Sequence, residues 1–321
     1  MSPSIPRWLS SRPPAAALEI DAHRVTAAIV SPHGSSSVLT SYASEPLPAG
    51  VVVPGLNASN VHDSTALASV IRSVLDAVTP RPRRVALVLP DTVAKFSLLR
   101  FEKVPARAQD LDQLIRWQIR KAAPFKIEDA QLAWVPGIAL PGGGREYLVT
   151  VARRDVIESY EHACVAAGAH PGIVDLASVN LVNAVLALHG GAVPGADWLL
   201  VHVAGDYSTV AVVRGGDVIF FRTRPAERPE DLADLVHQTA MYHEDRLGGG
   251  GFSRVVLAGG SSRGAEAADR IRRDLEARVG RGVEALDFRG AVALRDRIVA
   301  GPEVLDLLAP AVGVLLRERV A

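Results

Sequence analysis

Two stretches in this chain place small and polar residues between β-branched runs, where a tight turn can offer backbone N–H groups to an oxygen anion. The first is Glu19 to Arg24, reading Glu-Ile-Asp-Ala-His-Arg, between the apolar runs Ala15–Leu18 and Val25–Val30. The second is Ala204 to Ser208, Ala-Gly-Asp-Tyr-Ser, between Trp198–Val203 and Thr209–Val213. Gly205 lets a backbone approach a ligand closely. With Asp206 and Ser208 beside it, this turn is expected to hold a phosphate. A third candidate is the turn Leu257-Ala258-Gly259-Gly260-Ser261 at the end of an apolar strand.

Other constellations are weaker. His237 and His243, with Glu244 and Asp245, are spaced so that they miss a common helical face, and no metal site is expected. Gly-Asp-Tyr-Ser-Thr lacks the second glycine of a nucleophile elbow, so no catalytic residue is assigned. His23 reads as a solvated turn histidine and His202 as a hydrogen-bonded group in or near the core. Cys164, the single cysteine, falls on a helical pattern and reads as a buried thiol with no disulfide partner.

The elements that must position these turns form a repeat. Each polar break sits in a β-hairpin set, followed by an amphipathic helix and then a strand ending in a turn. In the first half the helix stripe is Leu67, Val70, Ile71, Val74, Leu75 and Val78, with Asp63 or Ser64 as cap, and the strand is Arg84–Leu89. In the second it is Leu232, Leu235, Val236 and Thr239, and the strand is Arg254–Leu257. The final helix is expected to start at Pro310.

Between the halves lies a segment with no counterpart, residues 91–138. It carries a strand with Phe96 and Leu98, a helix Gln109–Ala123 with Trp117, and then Phe125 and Ile127. The expected layout is an α/β chain of duplicated βββαβαβα halves, 15–190 and 196–321, with this small α+β insert. Residues 1–14 read as a disordered, proline-rich lead-in.

The bulk numbers agree with two ordinary domains in 321 residues. Hydrophobic residues make up 48% but aromatics only 5%, so the cores must be Ala, Val and Leu. Thirty-five basic and 35 acidic residues cancel, which argues against a nucleic-acid footprint. No run of 18 apolar residues is present and the N-terminus lacks a signal sequence, so a cytoplasmic location is expected.

The paired halves, the Gly259-Gly260 turn and the closing Ala311-Val312-Gly313-Val314-Leu315 together resemble the actin, Hsp70 and sugar-kinase superfamily, the ribonuclease H-like fold. Within it, Ala123-Pro124-Phe125-Lys126-Ile127-Glu128 after the insert's helix, and Tyr242-His243-Glu244-Asp245, resemble the PilM family of type IV pilus assembly. The chain is similar also to the cytoplasmic domain of the type II secretion protein GspL.

The resemblance implies an ATP and magnesium site between the halves, formed by Glu19, Asp21, Ala22, His23, Gly205, Asp206, Ser208, Gly259, Gly260 and Ser261. The first loop departs from the pattern, with Asp21 where a glycine is implied. The second departs too, with His202 for an aspartate and Ala204 for a glycine.

The resemblance further implies a cytoplasmic scaffold, peripheral to the inner membrane. It would bind the short cytoplasmic peptide of a PilN-like inner-membrane protein, contact the assembly ATPase and self-associate. Phe96, Leu98, Trp117, Phe125 and Ile127 are the expected groove for that peptide. The alternative is an enzyme, a divergent ATPase or small-molecule kinase, drawing its base and magnesium carboxylates from Glu19, Asp21, Asp175 and Asp206.

Overall fold

The computed structural model describes residues 14–34, 36–188, 197–225, 230–295 and 298–317. The expected lead-in and the glycines near 190–195 lie outside these residues, apart from Pro14. In the first half, β1 (Ala16–Ile20), β2 (Arg24–His33) and β3 (Ser36–Pro46) precede α1 (Ser64–Ala77) and β4 (Arg84–Leu89). The insert contributes β5 (Ala94–Phe101), α2 (Ala108–Ile119), β6 (Ala130–Ala139) and β7 (Arg145–Arg153). Then come α3 (Arg154–Ala166), β8 (His170–Leu176) and α4 (Ala177–Leu188). The second half holds β9 (Asp197–Val203), β10 (Tyr207–Arg214), β11 (Asp217–Pro225), α5 (Glu230–Leu247), β12 (Arg254–Ala258), α6 (Ala265–Val279), β13 (Val283–Ala285), β14 (Val292–Leu294) and α7 (Pro302–Leu316).

The duplication is visible strand by strand. The first sheet runs β3-β2-β1-β4-β8 and the second β11-β10-β9-β12-β13. In each, the first three strands pair antiparallel, and the fourth and fifth continue parallel from the first. One strand breaks the symmetry: β14, from the second half, pairs parallel with β3 and caps the first sheet. The sequence gives no sign of this strand, because three residues, Val292–Leu294, carry no periodicity.

Both sheets are buried on both faces, which requires near-continuous apolar strands. Along β1, Ala17 faces a cluster shared by the two halves, while Leu18 and Ile20 face the cluster beneath α1 and α3. The shared cluster joins Val88 of the first sheet and Leu200 and Val256 of the second to Leu181 and Val185 of α4 and Leu308 and Val312 of α7. A third cluster lies between the second sheet and α5 and α6. The helices α4 and α7 therefore form the middle layer, and they cross closely: a methyl group at Gly313 would overlap the carbonyl of Asn180.

The start of α7 corrects the sequence reading. The helix begins at Pro302, and Pro310 lies inside it. An interior proline costs about 3 kcal/mol. Burial of Leu305, Leu308, Val312, Val314 and Leu316, all within 5% of full burial, contributes roughly 1.5–3 kcal/mol per side chain and outweighs it.

The inserted sheet, order β5-β7-β6, extends past Ile138 to Arg153, since β7 is its central strand. The helix α2 covers one face through Leu111, Ile115 and Ile119, packed on Tyr147, Val149 and Val151. The other face meets the second half, where Phe96 stacks on Phe221 at 3.8 Å between ring centroids.

Candidate functional site

The cleft between the halves is a cavity bordered by the β1–β2 turn, the β9–β10 turn, the end of β12 and the first turns of α7. The structure gathers Glu19, Asp21, His23, Gly205, Gly259 and Ser261 around it. Ala22, Asp206, Ser208 and Gly260 are not part of the lining. Ser208 is buried in β10, and Gly260 packs on the Leu257 side chain.

Several amides of the expected anion-gripping turns are engaged from within the chain. Asp21 turns its carboxylate onto its own loop, where Oδ1 accepts from the amides of His23 (2.6 Å) and Arg24 (2.8 Å). Asp306, on α7, accepts from the Gly259 amide (3.0 Å) and the Ser261 amide (2.8 Å). Gly205 does not face open space: a Cβ there would lie 2.6 Å from Cδ2 of His23, so the two loops touch. The Ala204 amide donates to the Tyr207 carbonyl, and Arg263 donates to the Ala204 carbonyl at 3.0 Å. The β9–β10 turn is closed by the bond from the Ala204 amide to the Tyr207 carbonyl.

The acids of the cleft are also poorly suited to magnesium. Burial, then the negative charge of Asp21, raises the Glu19 carboxyl well above the usual range, with Arg24 pulling the other way. Burial raises Asp21 too, against its amide hydrogen bonds. Desolvation opposes ionisation at both carboxyls, and hard cations are held by ionised oxygen ligands. Among the described residues, no group of three or more His, Cys, Asp or Glu is placed to hold a metal. A magnesium triphosphate seated here would meet Asp21 and Asp306 already bonded to four amides of the turns.

Behind the cleft lies a buried polar network, of which sequence reading anticipated His202 but not Asp91, Ser178 or Thr209. Asp91, fully buried, accepts from the Ser178 amide (3.0 Å), the Ser178 hydroxyl and Thr209 Oγ1 (2.7 Å). His202 Nδ1 bonds to the same Ser178 hydroxyl at 2.8 Å. Since that hydroxyl donates to Asp91, His202 is the donor in this pair. The network ties α4 and the loop after β4 to the second sheet, a fastening between halves. Its one sequence trace is an acid directly after the strand-ending Pro90.

The five residues expected to line one peptide groove are divided by the inserted sheet. Phe125 and Ile127 pack into the α2-side core, and Trp117 stands 61% exposed on α2 with the Lys121 ammonium 5.7 Å from its ring. Strand alternation puts Phe96 and Leu98 on the opposite face, and Phe96 is covered by Phe221. They do not form one surface.

A different groove lies between the inserted sheet and the first sheet, with a volume of about 370 Å³. One wall is β8, the edge strand of the first sheet, contributing Pro171 to Leu176. The floor is the small-residue face of the insert, Ala94, Ala133, Thr150 and Ala152, and the far wall is the first two turns of α3 with Arg154, Ile157, Glu158 and Glu161. Arg154 and Glu158 also line an adjoining hollow with Pro124, Phe125 and Asn57. Alternate N–H and C=O groups of an edge strand point away from its neighbour and are free to pair with an extended chain.

The duplicated halves, their strand order and the central cleft define an actin-like fold. The chain belongs to the family of the type IV pilus assembly protein PilM, whose family model matches residues 17–226, well over half of its length. Among solved structures it is similar to the PilM-PilN type IV pilus biogenesis complex, with a TM-score of 0.83 at 20% identity, covering 97% of this chain and 100% of that one. It is also similar to a Bacteroides thetaiotaomicron protein with actin-like ATPase fold and unknown function (TM-score 0.50, 9% identity, 84% and 90% covered). The ethanolamine utilization protein EutJ from Carboxydothermus hydrogenoformans is another (TM-score 0.50, 12% identity, 96% and 90% covered). No curated protein matches the sequence.

Proposed function

We propose that this chain is a cytoplasmic scaffold of type IV pilus assembly that holds the N-terminal cytoplasmic tail of a PilN-like inner-membrane protein in the groove between β8 and the inserted sheet. The observation that carries the reading is the position of that groove. Its lining runs from Ala94 to Leu176, entirely within the segment that matches the PilM family, whereas the cleft draws Gly259, Ser261 and Asp306 from beyond it. One solved structure it resembles over nearly its whole length, with a TM-score of 0.83, is a PilM-PilN complex. No described helix is long and apolar enough to cross a membrane.

An extended tail suits the site: main-chain bonds to an exposed sheet edge supply affinity, and the pocket beneath takes alternate side chains. Titration of a fluorescein-labelled PilN tail peptide tests the proposal. Wild type is expected to bind saturably, and Ala133→Trp, which fills the groove from the exposed face of β6, to weaken binding at least tenfold. Unchanged binding by Ala133→Trp would overturn it. The enzyme alternative finds no support in the cleft, where carboxylates of the chain already occupy the amides a triphosphate would use.

A further inference from the structure

Charge in the groove is not balanced. Glu158 and Glu161 stand one turn apart on α3. The one cation lining the groove, Arg154, donates to the carbonyl of Ala130. Among the described residues, neither Glu158 nor Glu161 has an ion-pair or hydrogen-bond partner in the chain. The adjoining hollow adds Asp129 and Asp155, of which Asp155 is bound to Arg153. This local excess contrasts with a chain whose formal net charge is zero. The wall is also shaped for one kind of visitor, because Glu158 and Glu161 face the open edge of β8 across a floor of alanines.

We infer that the tail docked in this groove is an extended segment bearing a lysine or arginine whose cationic head meets Glu158 and Glu161. The inference rests on the docking proposed above and adds a chemical requirement to it. Cytoplasmic segments close to a membrane span are enriched in Lys and Arg, so a bitopic protein's tail brings the needed charge. A guanidinium fits a pair of carboxylates through its forked donors, and its stem covers the apolar floor. Main-chain pairing along β8 fixes the register, which sets which side chain of the tail reaches α3.

The test uses the full chain and two synthetic fluorescein-labelled PilN tail peptides, one with its native Lys and Arg and one with each replaced by Gln. Glu158→Gln with Glu161→Gln keeps the shape of both side chains and removes the charge. Loss of a charge-assisted bond is expected to weaken native-peptide binding about tenfold. Raising salt from about 50 to 500 mM is expected to weaken wild-type binding and leave the double variant little changed. The Gln peptide is expected to bind wild type and double variant alike.

Equal affinity and equal salt dependence of wild type and double variant for the native peptide would overturn the charge requirement. Ala133→Trp separates the two readings. If it abolishes binding while the double Gln variant keeps it, only the charge requirement falls. If it leaves binding intact, the groove itself is not the docking site.

Discussion

His23 rests its imidazole against the bare Cα of Gly205, and through this contact the two loops that would flank a phosphate chain touch each other. A ligand that entered would have to part them and displace Asp21 and Asp306 from the amides they hold. A ligand bound only by the native state stabilises it by RT ln(1 + [L]/Kd). Millimolar MgATP is therefore expected to leave the thermal unfolding midpoint of the wild-type chain unchanged. A shift of several degrees in differential scanning fluorimetry would show that the loops open.

Asp306 performs a structural task at the turn after β12. It accepts from two amides, on Gly259 and Ser261, and is itself largely buried. Asp306→Ala takes this acceptor away from both amides, at a cost of about 1–3 kcal/mol in all. Urea unfolding is expected to show a loss in that range without a change in slope. Gly301→Ala, where a methyl group meets nothing within 4 Å, is expected to be silent.

Glu19 gives the fold a pH signature. Burial and the charge of Asp21 raise its carboxyl above the ordinary value of 4.5. Between that value and the raised one, the folded state binds a proton that the unfolded state has lost, so stability falls as pH rises through this window. Glu19→Gln removes the penalty. The variant is expected to be more stable than wild type at pH 7.5, with the gap closing near pH 4, when denaturation midpoints are followed across that range.

Repeat, hairpins and helix stripes were legible in the sequence because each is a local pattern: apolar runs broken by a polar turn in β1 and β2, a 3.6-residue period in α1, an Asp63 cap that accepts from the Ala66 amide. Placement of the polar loops was legible as well, since strand ends fix where turns fall. What those loops do was not, because it depends on residues far away. Asp306 lies 47 residues from Gly259, and the partners of Asp91 are 87 and 118 residues on. The grouping of the five expected groove residues was not legible for the same reason. Trp117, Phe125 and Phe96 are among the large apolar residues of the insert, yet which face each takes is set by β7, the central strand of the inserted sheet, and by Phe221. The floor of the groove proposed above is alanine and threonine, which carry no signal of their own.

Peptide binding should depend on pH. Glu161 is raised by burial first and by the neighbouring Glu158 second, so it takes up a proton more readily than an ordinary glutamate. A protonated carboxyl offers a cation nothing, and affinity for the native PilN tail is expected to climb as pH rises through that raised value and to level off toward neutrality. The Glu158→Gln, Glu161→Gln variant is expected to show no such climb. Fluorescence anisotropy between pH 4.5 and 7.5 measures both.

Backbone hydrogen exchange, recorded with and without the PilN tail peptide, tests the docking site most directly. Pairing along the edge of β8 predicts new protection at residues 171–176, and contact with the groove floor predicts it at 131–133 in β6, while the cleft loops at 202–208 and 258–263 stay as they were. Protection confined to those cleft loops, with β8 and β6 unaffected, would contradict the account.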